Sequence, residues 1–251
     1  ALAGDLDALD VSAGPAMMSV FLTVPPESAR KLCSVGAACS KPAWRHVLAD
    51  ALVVLCGDDV AERLAVLLEQ TGGRDALLPL LALARVDSPS TIGLCLKFLE
   101  HEQSELREAA LVALRPHAGE RVRRGVLRAL EDRSERVRVE ALRWISVYRT
   151  AEAVPVLAEQ CRGGPFFAKG SAIESRAWLM AYARAGRTEA APLLLKLLRE
   201  HAGQAARPPE FVLSVTRAAL SLGGDTAQAV DDMTRGDEVI ARAVNTLRNS
   251  R

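Results

Sequence analysis

The apolar residues along the chain have the spacing of amphipathic helices. From Ser104 to Arg115 they recur at intervals of three and four residues, which places them on one face of a helix. The same spacing, interrupted by Gly, Pro, Ser and Asp, predicts a series of helices in the middle of the chain. Their predicted bounds are residues 42–55, 59–69, 75–85, 91–100, 104–115, 120–131 and 136–149.

Local signals at the helix ends are clear from residue 40 onwards and weak before it. Ser40 stands where its hydroxyl can cap the helix that begins at Pro42, and Gly57 stands where a left-handed residue can end that helix. Residues 1–24 are broken by Gly and Pro, and the apolar run 17–22 is compatible with a helix or a strand. We therefore expect an irregular N-terminal segment, residues 1–40, that packs on the helices of residues 41–251.

The chain repeats itself with a period of just over thirty residues. Residues 106–111 read aliphatic residue, Arg, two variable residues, Ala and Leu, with Leu106-Arg107 followed by Ala110-Leu111. The same pattern recurs 31 residues later, where Val137-Arg138 is followed by Ala141-Leu142. A further Arg, Arg176, follows Arg138 by 38 residues. Periods of this length are typical of solenoids, in which each helical hairpin stacks on its neighbours. We expect an all-α fold, an α-solenoid of about five to six helical hairpins.

These repeated residues resemble the second-helix signature of HEAT repeats, and the bacterial HEAT-like type named after phycobilisome lyases is the most similar. The resemblance covers residues 91–149 and extends in part to residues 151–186, where Ser175-Arg176 takes the place of the aliphatic residue and Arg. It implies a right-handed superhelix of helix pairs that binds proteins along its concave face. No catalytic residue set of such proteins can be matched to residues of this chain.

Charge is balanced over the whole chain and uneven within it. The net charge is +1, but residues 115–149 contain ten Arg and five acidic residues. This local excess predicts either a basic patch for an acidic partner, a membrane surface or nucleic acid, or a solvated face with ion pairs along its helices. The balanced total argues against nucleic acid. We expect a protein partner, and the basic patch favours a partner whose surface is acidic.

Three repeated arginines, Arg107, Arg138 and Arg176, are the first candidate binding residues. On equivalent helices they form either a docking row for acidic groups or an internal ladder, in which each Arg bonds to the turn Asp or to a carbonyl of a neighbouring repeat. Trp144 and Trp178 lie on apolar helix faces, where each ring is either a core residue or a contact at the edge of the concave surface.

The Gly- and Pro-containing stretch 162–170 holds two adjacent aromatic residues, Phe166 and Phe167. Aromatics make up only 4% of the chain, so a pair of them in a turn-rich stretch is a candidate anchor for a partner. The alternative is that the rings fold back and fill the groove beneath, and we expect at least one of them to be buried.

The sequence contains no recognisable catalytic or metal-binding motif. The five cysteines (33, 39, 56, 95 and 161) have no zinc-ligand spacing, and the four histidines are isolated. No apolar run reaches the length of a membrane span, and residues 16–24 lack the basic flank of a signal peptide. We expect no cofactor and no metal, free thiols, and a cytoplasmic protein.

Together these patterns predict a non-catalytic protein–protein interaction module or scaffold. Two alternatives are open within HEAT-like proteins. The first is a nucleic-acid-acting enzyme of the DNA glycosylase type, which requires a concave face rich in Lys, Arg and aromatics with a carboxylate among them. The second is a tetrapyrrole lyase-type chaperone, which rests on the repeat resemblance alone.

Overall fold

All secondary structure in the described residues is helical, as the sequence predicts. The structure, a computed structural model, describes residues 2–21, 23–201 and 209–250, without the side chains of residues 166, 168 and 201. The chain divides into unit 1, residues 1–129, and unit 2, residues 130–251.

Unit 1 contains the first nine α-helices of the described chain. Their bounds are α1 Leu2–Ala8, α2 Gly14–Phe21, α3 Ala29–Ala38, α4 Pro42–Cys56, α5 Val60–Gln70, α6 Leu77–Leu83, α7 Ile92–Phe98, α8 Ser104–Ala113 and α9 Glu120–Ala129. Helices α4, α6 and α8 contact one another in that order and form a row. Helix α5 packs against α4 and α6, and α7 packs against α8 and α9.

Unit 2 has a similar arrangement of alternate helices. The bounds of its described α-helices are α10 Glu135–Tyr148, α11 Val154–Cys161, α12 Pro165–Lys169, α13 Ala172–Gly186, α14 Ala191–His201, α15 Pro209–Leu220, α16 Gly224–Met233 and α17 Glu238–Asn249. Helices α10, α13, α15 and α17 contact one another in that order and form the row of this unit. The intervening helices α11, α14 and α16 pack against members of the row.

The predicted helices agree with the observed α-helices to within two residues at each end. Gly57 ends α4 with a positive φ of 66°, in line with the prediction. Ser40 is not the cap of this helix: the N-cap is Lys41, which makes no side-chain capping bond. The main-chain N–H of Ser40 instead donates to the carboxylate of Asp7, 2.8 Å away, so this turn is fixed by another helix.

The core consists of large aliphatic side chains and two tryptophans that are wholly buried. In unit 1, Trp44, Leu48 and Leu78 are fully buried, and Trp178 is fully buried in unit 2. Small residues let helices approach closely: a Cβ at Gly36 of α3 would lie 2.9 Å from Cδ1 of Leu78 on α6. Burial of these faces supplies most of the stability of helices this short, because isolated helices of such length are marginal in water.

The segment of residues 1–40, which we expected to be irregular, contains the helices α1, α2 and α3, joined by short non-helical stretches in its described parts. The run left open between helix and strand is α-helical over residues 17–21. Asp7 fastens α1 to the start of α4, because its carboxylate accepts hydrogen bonds from the main-chain N–H groups of Ser40 and Lys41 and from the thiol of Cys39. The domain boundary at residue 40 stays a prediction.

Asp7 gives unit 1 a stability that depends on pH. The hydrogen bonds from Cys39, Ser40 and Lys41 hold the pKa of this carboxyl well below its ordinary value of about 3.9. The stabilisation is therefore complete above about pH 4 and is lost progressively as the pH falls through the lower folded-state pKa. We expect Asp7→Asn to lower the melting temperature clearly at pH 7 and less at pH 3.

Thermal unfolding followed by circular dichroism at both pH values checks this expectation. Asp5→Asn, a change of an exposed carboxylate on the same helix, is the control and should have little effect at either pH. An equal loss for Asp7→Asn at both pH values would show that the charge of this carboxylate does not stabilise the turn.

Candidate functional site

A buried arginine recurs at the fourth residue of three row helices. In unit 1, Nε of Arg45 donates to the carbonyl of Cys39 at 2.8 Å, and Nη1 of Arg107 donates to the carbonyl of His101 at 2.7 Å. In unit 2, Nη1 of Arg138 donates to the carbonyl of Asp132, also at 2.7 Å. Each acceptor lies six residues before its arginine. These side chains therefore bind the loop that leads into their own helix.

Arg138 also forms a buried ion pair that joins α10 to α13. Its Nε and Nη2 atoms lie 2.5 and 2.8 Å from the two carboxylate oxygens of Glu174. The side chain of Glu174 is fully buried, and Nε1 of Trp178 donates to it at 3.3 Å. Two parallel hydrogen bonds from Arg138 and a third donor from Trp178 hold this buried ion pair in one arrangement.

Two contacts fix the register between α10 and α13. The hydroxyl of Ser171 donates to Glu135, and Arg138 bonds to Glu174; both pairs are separated by 36 residues. Equal separations mean that the two helices run parallel, with each residue of α10 level with the residue 36 positions later. Glu174 is therefore the residue level with Arg138. Arg176 lies two positions further along α13, which is roughly 200° around that helix.

This difference in angle explains why the three predicted arginines do not share one environment. Arg107 and Arg138 are 5% and 7% exposed and bond to carbonyls, as in the internal alternative of the sequence analysis, although those carbonyls belong to the loop before each helix. Arg176 is exposed and lies on the other side of its helix. Of the three, we therefore take only Arg176 as a candidate for binding a partner.

The exposed faces of α10 and α13 form a groove of about 270 Å³, which we call the arginine groove. Its apolar lining includes Val147, Ile173 and Met180, and the arginines along it are Arg143, Arg176 and Arg184. Val147 is 66% exposed and Ile173 is 56% exposed, large fractions for aliphatic side chains on helices that are otherwise well packed. Exposed apolar surface with a polar rim is typical of an interaction site.

The arginines of the groove differ in how their charge is compensated. Nη1 of Arg143 lies 3.2 Å from the carboxylate of Glu140, whose own side chain is almost completely buried. Arg176 and Arg184 have no ion-pair partner within the described residues. The groove therefore presents positive charge that the neighbouring described side chains compensate only in part.

The aromatic candidates lie mainly in the core of unit 2. Trp144 and Trp178 are 2% and 0% exposed, and the ring of Trp144 packs on Tyr148 at 4.3 Å between centroids. Phe167 is 3% exposed and meets Phe211 edge to face. This burial agrees with the expectation that at least one ring of the Phe pair folds inward. The side chain of Phe166 lies outside the described residues.

The arginine-rich stretch contains ion pairs within single helices. In α9, Glu120 pairs with Arg123 and with Arg124, the second at 3.3 Å, three and four residues along the helix. These pairs fit the solvated-face interpretation for α9. The side chains that line the arginine groove belong to unit 2 and include none from α9.

The five cysteines are buried free thiols. Burial raises the pKa of Cys33, Cys95 and Cys161 to about 12, and burial together with the Asp7 carboxylate raises that of Cys39 to about 11. A thiol with a raised pKa is protonated at neutral pH and is a poor nucleophile. Cys33, Cys95 and Cys161 therefore act as small apolar side chains in the core, whereas the thiol of Cys39 donates to Asp7.

Sequence reasoning missed four residues that shape this region: Arg45, Arg143, Glu174 and Arg184. Arg143 and Arg184 had no signal of their own, because exposed arginines are common in this chain. A signal for Arg45 exists, since it precedes Arg107 by 62 residues, twice the period of 31. Glu174 could also have been found from the sequence, because it is an acidic residue in a mainly apolar pattern, 36 residues after Arg138.

Neither protein-family models nor curated proteins give a match to this chain. Within the described residues, no helix is both long enough and apolar enough to cross a membrane. The described part of the chain also holds no cluster of three or more His, Cys, Asp or Glu side chains with the geometry of a metal site.

Proposed function

We propose that the chain is a non-catalytic protein-interaction module, and that the arginine groove of unit 2 is its partner-binding surface. The helical hairpins would stack as a right-handed HEAT-like α-solenoid, with the row helices on its inner face. Such a fold offers a long surface of repeated helices to a partner. The observation that carries the proposal is the exposure of Val147 and Ile173 in the same groove as Arg176 and Arg184, which have no ion-pair partner within the described residues.

The size of the groove suits a side chain of a protein partner. At about 270 Å³ it lies at the lower limit of the roughly 300–1,000 Å³ of small-molecule pockets. A groove of this size accepts side chains of a longer segment, and the segment continues beyond it over the neighbouring surface. Hot spots of protein interfaces have this form, an apolar contact surrounded by polar groups.

The chemistry of the buried thiols supports the non-catalytic part of the proposal. Cys33, Cys95 and Cys161 are the strongest potential nucleophiles of the chain by residue type, and burial keeps them protonated. The buried carboxylate of Glu174 is engaged by Arg138 and Trp178 within the core. The thiols and Glu174 are buried in the cores of their own units and have no free face toward a substrate.

A selection of random twelve-residue peptides displayed on phage, with the full chain as bait, tests this function. We expect enriched peptides that bind the unchanged protein and lose at least tenfold in affinity to the double variant Val147→Ser, Ile173→Ser. Both side chains are more than half exposed, so the fold should tolerate the change. Val156→Ser with Val239→Ser is the matched control, because these valines are exposed elsewhere in unit 2.

Two outcomes would remove the arginine groove as the binding surface. One is a selection that yields no peptide above the background of the support. The other is a set of peptides that bind the groove variant and the control variant equally well in fluorescence polarisation.

A further inference from the structure

We infer that the occupant of the arginine groove is an acidic protein segment that inserts an apolar side chain between Arg176 and Arg184. This inference rests on the proposed function and adds the chemistry of the partner. It follows from three features of the groove: its charge, the spacing of its arginines and its apolar floor.

The charge of the groove selects carboxylates. Arg176 and Arg184 have no ion-pair partner within the described residues. Arg143 forms an ion pair with Glu140. The buried carboxylate of Glu174 on the same helix has no exposed surface and is bound to Arg138. An acidic segment therefore meets arginines that are still able to pair, whereas a basic segment would be repelled.

The spacing of the arginines sets the spacing of the acidic groups. Arg176 and Arg184 are eight residues apart on α13, which corresponds to about 12 Å along the helix axis. The register places Arg143 level with residue 179, between the two. Acidic side chains about 12 Å apart in the partner, with room for an apolar residue between them, match this pattern.

The apolar floor distinguishes a protein segment from other anions. Val147, Ile173 and Met180 lie within the groove, where an aliphatic or aromatic side chain can bury them. Single-stranded nucleic acid commonly stacks its bases on aromatic side chains beside its phosphate contacts, and Trp144 and Trp178 are buried. A membrane surface is broad, and it contacts a protruding face more readily than a groove bounded by two helices.

Three synthetic pools of ten-residue peptides test the inference with the full chain. The pools share the same apolar residues and differ at the flanking positions, which are Asp or Glu, Asn or Gln, or Lys or Arg. We expect the acidic pool to bind about five- to tenfold more tightly than the amide pool, as two exposed ion pairs allow. The preference should decrease at high salt, because such pairs are screened.

Charge reversal provides the specific control. In the double variant Arg176→Glu, Arg184→Glu, we expect the order to invert, so that the basic pool binds more tightly than the acidic pool. A structural defect would weaken all pools and would not invert their order. Arg199→Glu, an exposed change on α14 outside the groove, should leave the order unchanged.

The outcomes separate the two proposals. Equal binding of the acidic and amide pools, lost in the Val147→Ser, Ile173→Ser variant, would overturn the acidic partner and leave the interaction site in place. Absence of binding by every pool, together with a failed display selection, would overturn both. Vesicles of anionic lipid or single-stranded DNA that bind more tightly than the acidic pool, and that depend on Arg176 and Arg184, would also overturn the acidic protein segment.

Discussion

Replacing Arg138 by Met is expected to destabilise unit 2 by about 3–5 kcal/mol, the cost of leaving one member of a buried ion pair without its partner. The side chain of Glu174 is fully buried, so water cannot replace the lost guanidinium. The carbonyl of Asp132 loses a donor at the same time. Chemical unfolding followed by circular dichroism measures the loss.

Two further variants show whether the buried charge is the cause. The double variant Arg138→Met, Glu174→Leu removes both charges, and we expect it to be more stable than the single variant, because an apolar pair leaves no uncompensated charge. Arg248→Met breaks an ion pair with Asp231 whose side chains are 61% and 38% exposed, and should cost no more than about 1 kcal/mol. Equal losses for Arg138→Met and Arg248→Met would contradict the structural role of the buried pair.

Replacing Trp44 by Ala is expected to destabilise unit 1 by about 3–5 kcal/mol, the usual cost of truncating a large buried aromatic residue. The ring is fully buried, and its Nε1 atom donates to the carbonyl of Leu9 at 3.4 Å. Truncation therefore removes packing within α4 and a contact with the segment between α1 and α2. Urea titration of the unfolding transition measures the effect.

Trp44→Phe and Val54→Ala are the matched changes for this site. Trp44→Phe keeps an aromatic ring and should cost less than Trp44→Ala. Val54 lies on the same helix but is 52% exposed, so its truncation should change the free energy of unfolding by about 0.5 kcal/mol or less. If Trp44→Ala cost no more than Val54→Ala, the ring would not be part of the core of unit 1.

The helices of this chain could be predicted from the sequence because their apolar spacing and their breakers act locally. The predicted span 42–55 became α4, Pro42–Cys56, and Gly57 ends it with a positive φ. Ser40 shows the limit of such reasoning. Its predicted capping role depended on neighbours in sequence, whereas its N–H is bound by Asp7, 33 residues earlier in the chain.

The candidate site could be predicted only in part, because its geometry depends on the register between two helices. The repeat in the sequence makes Arg176 the equivalent of Arg138, at a separation of 38 residues. The contacts between α10 and α13 set the separation of level residues at 36. Because of this difference of two residues, Arg176 lies on the groove side of α13 and not on its core side. Glu174, not Arg176, is the residue level with Arg138.

The groove itself was beyond prediction from the sequence. Val147, Ile173 and Met180 have the apolar character of core residues, and only the packing of α10 on α13 leaves them exposed or accessible in a groove. The same limit applies to Trp144 and Trp178. The sequence left both core and contact roles open for these rings, and the structure buries them.

Methyl-group NMR of the full chain, titrated with the acidic peptide pool, tests the proposed binding surface most directly. We expect the methyl signals of Val147, Ile173 and Met180 to shift together, while those of Val54 and Val66, exposed valines of unit 1, stay in place. Shifts at Val54 or Val66 with unchanged signals at Ile173 and Met180 would contradict the arginine groove as the site where this protein binds its partner.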